Sequence, residues 1–475
     1  MIDRRGFLML STAAVAAGCS SATTPHPAPP PAPPPPALDI AFVPAEREVD
    51  LGGPVVRTWA YTDRLPGNEI RIRKGQRLRA AVTNTLPADT SIHWHGLAIV
   101  NAMDGVPPLT QAAIPPGGQF TYDFVVPDAG TYWYHSHVGT QLDRGLYGPL
   151  IVEDPSEKAD YDDELVLVLD DWIDGTGTNP DEVLANLRRT GMKRMGPGGS
   201  GVSPTTPIGA DGGDVTYPYF VVNGRVPADP DVRDSRAGQR IRLRVINAAS
   251  DTAFRVAVPD TSLNVIATDG YPVMPAQANS VILGMGERVD ATFTVTGSAP
   301  VVAVPEGKQG HAQVNIRVAG KPGTVRVDEF VSAVRRDVPL DTATLSPTPE
   351  VTLPVRDPDQ VIEATLSGPG PGYAWPFAGR LYDPTEDGIG VKRNQRVRIR
   401  MVNESMMFHP IHLHGHTFQV VGRNAPRARK DTVLVPPKQT VEVDFDTDNP
   451  GKWITHCHNT YHLEGGMGGW IFYEG

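Results

Sequence analysis

The sequence predicts an all-β protein of three consecutive β-sandwich domains, and three observations carry that prediction. The 475 residues include 48 glycines and 47 prolines, which favours many turns and short strands over long helices. One eleven-residue strand pattern occurs three times at nearly constant spacing. A longer pattern follows each copy, with histidines in the two outer copies and none in the middle one. Length agrees, since a chain this long divides into about three domains at ~150 residues each.

The first pattern is KGQRLRAAVTN (74–84), AGQRIRLRVIN (237–247) and RNQRVRIRMVN (393–403). Gln76, Gln239 and Gln395 align, as do Asn84, Asn247 and Asn403. Apolar and polar residues alternate within each copy, the period of a strand with one buried face. The second pattern is IPPGGQFTYDFVVPDAGTYWYHSH (114–137) against VPPKQTVEVDFDTDNPGKWITHCH (435–458), with GMGERVDATFTVTGSAP (284–300) between them. These repeats place the domains at 38–155, 160–320 and 325–475. The Gly-rich stretch 191–214 is expected to form a mobile loop of the middle domain.

The N-terminus resembles an address label. Arg4-Arg5-Gly6-Phe7-Leu8 ahead of an apolar run to Ala17 resembles a twin-arginine export signal, with an ordinary secretory signal as the other reading. Ala16-Ala17-Gly18-Cys19 resembles a lipoprotein cleavage site, which would tether the mature chain to a membrane through lipid on Cys19. Residues 1–19 are thus the signal and 20–37 a proline-rich linker in extended polyproline II form. Export to the periplasm or cell surface is the expectation. A formal net charge of −11 argues against a nucleic-acid partner and against docking on an anionic membrane. With only Cys19 and Cys457, no disulfide framework is available.

Ten of the 13 histidines fall in four clusters: His93-Trp94-His95, His135-Ser136-His137, His409 with His412 and His414, and His456-Cys457-His458 with His462. Random placement would give about 0.4 H-x-H pairs, whereas the chain has five, counting His414/His416. On a strand, residues i and i+2 face the same way, so each pair aims two imidazoles at one place. Imidazoles without carboxylates or a second thiolate suit copper better than hard cations or iron–sulfur clusters. One thiolate, two imidazoles and a weak thioether make an electron-transfer copper site. Cys457, His462 and Met467 supply three of these at C-x4-H-x4-M, and His409 the fourth. In the first domain Ser136, Gln141 and Leu146 stand where Cys457, His462 and Met467 stand in the last. Two kinds of site are therefore encoded: a mononuclear centre within the last domain, and a multi-imidazole centre shared by the outer two. Cys457 joins them covalently, because His456 and His458 flank it.

HWHG, HSH, HPIHLHGH and HCHNTYHLEGGM together resemble the four copper-binding motifs of three-domain multicopper oxidases, a family that includes laccases and copper-resistance oxidases. The resemblance implies three cupredoxin-like Greek-key β-sandwich domains and four coppers per chain. His409, Cys457, His462 and Met467 would hold type 1 copper, with Cys457 carrying the electron onward. His93 and His412 would hold type 2. His95, His135, His137, His414, His456 and His458 would hold the type 3 pair. Asp104, eleven residues after His93, resembles the family acid that delivers protons, and its Asp-Gly context equally suits a turn. Glu464 is the candidate second proton donor, because Leu463 stands where relatives carry an acid next to the histidine. His416 has no ligand role in the pattern and is expected to face solvent or be hydrogen-bonded. His26 and His311 are expected at the surface.

The implied reaction is one-electron oxidation of a reducing substrate coupled to four-electron reduction of dioxygen to water. Electrons are expected to arrive at an exposed edge of His409 or His462. The donor is a phenol or aromatic amine in the laccase-like reading. It is Cu(I) in the alternative, a dedicated cuprous oxidase, to which the soft thioethers of Met406 and Met407 beside His409 and of Met192 and Met195 in the Gly-rich stretch would contribute. Copper nitrite reductases lack a complete type 3 set, and scaffold proteins on this fold lack the histidines. A copper store has the same residues without turnover.

Overall fold

The computed structural model describes residues 36–191, 201–321, 323 and 325–474. The export signal, residues 20–35 of the linker with His26, and Met192 and Met195 lie outside the described residues, as does Cys19.

The three repeated strands are wired identically. Arg77–Thr83, Arg240–Asn247 and Arg396–Asn403 each pair in parallel with the leading strand of their domain, namely Leu38–Phe42, Asp163–Trp172 and Gln360–Leu366. Each pairs antiparallel on its other side with the strand of the second repeat: Gln119–Val125, Arg288–Thr294 and Thr440–Asp446. The repeated asparagine explains part of the pattern. Asn84 donates to the carbonyls of Ala88 and Ile114 and accepts from the Leu86 amide. Asn247 does the same with Thr252, Leu283 and Ala249, and Asn403 with Met407, Val435 and Ser405. Each closes the loop that leaves its strand, and each is buried, so losing one leaves unsatisfied groups at about 1–3 kcal/mol.

Two layers of sheet per domain follow from the alternation. In the first domain, a sheet in the order Leu38–Phe42, Arg77–Thr83, Gln119–Val125 faces one in the order Ile70–Arg73, Tyr147–Glu153, Gly130–His135, His93–His95. The middle domain stacks two six-stranded sheets and the last domain two five-stranded sheets. The fold is all-β, three cupredoxin-like sandwiches in a row.

Two expectations need correction. Residues 325–345 belong with the middle domain: Val331 and Val334 of helix Val327–Val334 pack against Ala257, Val302 and Val304, and Leu340–Asp341 pairs with Ser280–Leu283. The sheets of the last domain begin at Gln360. The stretch 191–214 is not a free loop where it is described. Ile208 is in the core, and the amides of Asp214 and Val215 both donate to the Asp251 carboxylate, at 3.1 and 3.0 Å. Gly213 sits at φ +117°, where a Cβ would strike that carboxylate. Gly212 and Gly213 serve close packing there rather than freedom.

Candidate metal centres

The histidine strands are neighbours within each outer domain. His93–His95 pairs with Gly130–His135, placing His93 opposite His135. His409–Leu413 pairs with Lys452–Cys457, placing His412 opposite His456 and Ile411 opposite Cys457. Period-2 alternation then sends the i and i+2 rings to one face.

In the last domain, Cys457 Sγ lies 3.6 Å from His409 Nδ1 and 3.5 Å from His462 Nδ1, and the two nitrogens are 3.1 Å apart. The short helix Thr460–Glu464 turns His462 back towards the sulfur. The Asn459 side chain accepts from the amides of Tyr461 and His462 to start that helix, and donates to Asp251. Met467 is fully buried, its amide donating to the His462 carbonyl and its own carbonyl accepting from the Cys457 amide.

The outward nitrogens of this cluster correct a further expectation. Neither His409 nor His462 has an exposed edge; both are 0 % exposed. His409 Nε2 meets Ser405 Oγ at 2.8 Å, and His462 Nε2 meets Asp214 Oδ2 at 3.1 Å. Trp375 lies tilted over the His462 ring at 4.1 Å between centroids, and Tyr373 donates its hydroxyl to Asp214. Segment 208–215 and the loop carrying Tyr373 and Trp375 therefore roof the site. Burial opposes charge on His462, but the nearby Cys457 sulfur and the Asp214 carboxylate outweigh it and push the ring up to about 10.

The second centre gathers eight imidazoles, four from each outer domain. Most of these rings use one nitrogen outward. His93 Nδ1 donates to the Asp104 carbonyl (2.8 Å), His135 Nδ1 to Ser136 O (2.8 Å), His412 Nδ1 to Asp431 O (2.8 Å) and His456 Nδ1 to Cys457 O (2.9 Å). His414 Nδ1 donates to Asp104 Oδ2 at 3.0 Å, and His95 Nε2 to Asp431 Oδ1 at 3.1 Å. Each such bond fixes the tautomer and leaves the other nitrogen as a lone pair facing inward.

The inward nitrogens converge, and those of His414 and His456, whose outward bonds fix their tautomers, face each other without a proton between them. His414 Nε2 and His456 Nε2 are 3.0 Å apart, His137 Nε2 is 3.4 Å from His456 Nε2, and His458 Nε2 is 3.2 Å from His95 Nδ1. Nε2 of His93, His135 and His412 is buried with no hydrogen-bond partner. Burial, then neighbouring rings, holds His135, His137, His414 and His458 well below the usual imidazole range, and His456 at about 3. Facing lone pairs repel, and burying them unpaired is costly. A soft or borderline cation removes both problems, so the donor set fits copper. His93, His412 and His414 form one triplet of ligand atoms within 4.8 Å of one another; His137, His414 and His456 form another, and His409, Cys457 and His462 a third.

Every histidine expected at a metal is in one of the two clusters. Asp104 is buried and touches rings from both outer domains, lying 3.2 Å from His93 Nδ1 as well as bonded to His414. Glu464 lines a small cavity with His135, His137, His456 and His458, and burial raises its carboxyl. His416 is buried rather than solvent-facing, bonded to the His414 carbonyl and the Tyr473 hydroxyl. His311 is partly buried and meets Gln313. Sequence reasoning missed Asp214, Trp375, Ser405, Arg288 and Asp431. Only Asp431 left a trace, in the charged run Arg429-Lys430-Asp431 ahead of an apolar strand.

Profiles of the multicopper oxidase family match residues 45–157, 163–302 and 355–474. The chain is 42 % identical to the multicopper oxidase MmcO of Mycobacterium tuberculosis, over 98 % of this chain and 95 % of that one. This chain belongs to the multicopper oxidase family. It is also 28 % identical to a copper resistance protein A homolog of Pseudomonas syringae pv. tomato, covering 89 % of this chain and 90 % of the relative. Among solved structures it is similar to Lac15 from a marine microbial metagenome, with TM-score 0.65, 30 % identity, and 92 % and 100 % of the two chains covered. As a member of this family it is a copper-dependent oxidase that couples oxidation of a reducing substrate to reduction of dioxygen.

Proposed function

We propose that the chain is a broad, laccase-like oxidase of small phenols and aromatic amines that also accepts Cu(I), with electrons arriving through Asp214 and His462. The observation that carries this is the hydrogen bond from His462 to the buried carboxylate of Asp214, a residue that also lines a cavity of about 630 Å³. Val183, Leu187, Tyr217 and Phe220 line that cavity, with Glu182 as an acid among them. An apolar aromatic wall with a carboxylate suits a flat ring carrying a hydroxyl or amine. The dedicated cuprous oxidase remains the second reading. It is supported by Met406, which is 49 % exposed one residue from the Ser405 that holds His409, and by the name of the copper resistance relative.

On this reading four coppers bind per chain. His409, Cys457, His462 and Met467 hold type 1; His93 and His412 hold type 2; His95, His135, His137, His414, His456 and His458 hold the type 3 pair. When bound, the metals supply one-electron storage and the four-electron chemistry at dioxygen. The chain supplies the rest. Cys457 carries the electron along the backbone to His456 and His458. Asp104, between His93 and His414, holds and moves protons on the side facing the first domain. Glu464 does so at the cavity beside His135 and His458. Export through the twin-arginine signal is part of the same reading, supported by the RRGFL string alone.

Steady-state rates for a phenol and for Cu(I), in wild type and Asp214→Asn, test the substrate reading. The broad oxidase turns over both, and Asp214→Asn lowers kcat/KM for the phenol by about 10–100-fold. Cu(I) turnover with no phenol oxidation would select the dedicated cuprous oxidase.

A further inference from the structure

The middle domain carries none of the clustered histidines, yet its copy of the second repeat reaches their shared cluster. The turn Gly284-Met285-Gly286-Glu287 leads into strand Arg288–Thr294. Gly286, at φ +86°, lies so close to the rings that a Cβ there would come within 2.8 Å of His458 and 3.0 Å of His95. Arg288 follows, fully buried. Its guanidinium grips all three domains. Nη1 and Nη2 donate to Asp431 Oδ1 and Oδ2 of the last domain at 2.7 and 2.6 Å. Nε donates to Thr131 O of the first domain at 3.1 Å, and Nη1 also to Gly286 O at 3.0 Å. Asp431 in turn holds two rings: Oδ1 accepts from His95 Nε2, and its carbonyl accepts from His412 Nδ1. Gly96, next to His95, fits against this pair because it has no side chain; a Cβ would collide with Arg288 and lie 2.8 Å from Asp431 Oδ2.

We propose that Arg288 is a positioning residue of the shared cluster: by clamping Asp431 from both oxygens it fixes the plane and tautomer of His95 and the seat of His412, so the middle domain, which contributes no ring to the cluster, forms its third wall. A planar fork can hold both carboxylate oxygens at once, whereas a lysine ammonium is a point charge that cannot. With the carboxylate free to turn, His95 Nε2 keeps only its contact to Thr432 Oγ1 at 3.2 Å, and its Nδ1 is held inward less firmly. The inference rests on the copper assignment given above.

The test is copper reconstitution of wild type, Arg288→Lys and Arg244→Lys. Arg244 is an equally buried cross-domain arginine, bonded to Thr131, Glu164 and Asp290 but to no histidine. Copper affinity is read by chelator competition, the type 2 centre by its electron paramagnetic resonance signal, and the type 1 centre by its blue absorption. Arg288→Lys is expected to weaken copper binding by the shared cluster about 10–100-fold and to alter the type 2 signal, with the blue band intact. Arg244→Lys is expected to leave both centres as in wild type. If Arg288→Lys keeps wild-type affinity and type 2 signal, or only matches Arg244→Lys, the inference is overturned. If wild type itself lacks the type 2 and type 3 signatures, the copper assignment fails instead. Should Arg288→Lys not fold, Gly96→Ala, which presses a methyl on the same pair, must show the selective cluster defect; a wild-type cluster in that variant overturns the inference.

Discussion

His409, Cys457, His462 and Met467 all belong to the last domain, on two neighbouring strands and the turn that follows them. The eight-imidazole cluster draws four rings from each outer domain, and its hydrogen bonds run from His95 to Asp431 and from Asp104 to His414 across the junction. The first centre is thus local and the second exists only once domains have docked. Their protonation differs in the same sense. Burial holds His135, His137, His414, His456 and His458 far below the usual range, while the Cys457 sulfur and the Asp214 carboxylate push His462 up to about 10. The mononuclear site takes its thiol and imidazoles from one domain, and its acid, Asp214, reaches it from the middle domain. The shared site spreads its rings over a dry interface where charge is expelled.

The sharpest way to break the comparison is Cys457→Ser. The blue absorption and all turnover should vanish, while the shared cluster still takes up copper, as metal analysis would show. A variant that stays blue removes the ligand assignment. Asp104→Asn acts on the other centre: copper content and colour should persist while kcat falls by about 10²–10⁴-fold, the usual worth of a positioned proton donor. A drop of less than about twofold would leave Asp104 as a turn residue, the other reading of its Asp-Gly context.

A smaller effect sharpens the contrast through pH. His462 of the metal-free protein carries its proton up to about pH 10, so copper must displace that proton. Uptake at the Cys457 site should therefore strengthen at least about tenfold per pH unit between about pH 6 and 9. His135, His137, His414, His456 and His458 of the shared cluster, held well below the usual imidazole range by burial, have no such proton to lose, so uptake there should be much flatter over the same range. Chelator competition at several pH values measures both slopes, and equal slopes would contradict the comparison.

Much of this was legible in the sequence because it depends on short-range periodicity. H-x-H on a strand fixes a face whatever surrounds it, and the triple repeat fixes the strand pairing, down to the recurrent Asn84, Asn247 and Asn403. The substitutions Ser136, Gln141 and Leu146 located the mononuclear centre in one domain only. What was missed lies at long sequence separation. Arg288 meets Asp431 from 143 residues away, Asp214 meets His462 from 248, and Asp431 meets His95 from 336. No local pattern encodes such pairs. The expected exposed edge of His462 failed for the same reason: Asp214 and Trp375, which cover it, come from other parts of the chain.

Anomalous diffraction at the copper edge from crystals of the copper-loaded protein tests the central claim most directly. The account predicts four peaks: one among His409, Cys457 and His462, and three enclosed by the eight imidazoles shared between the outer domains. A single peak at Cys457 with none among the eight imidazoles, or copper sites lying elsewhere on the chain, would contradict it.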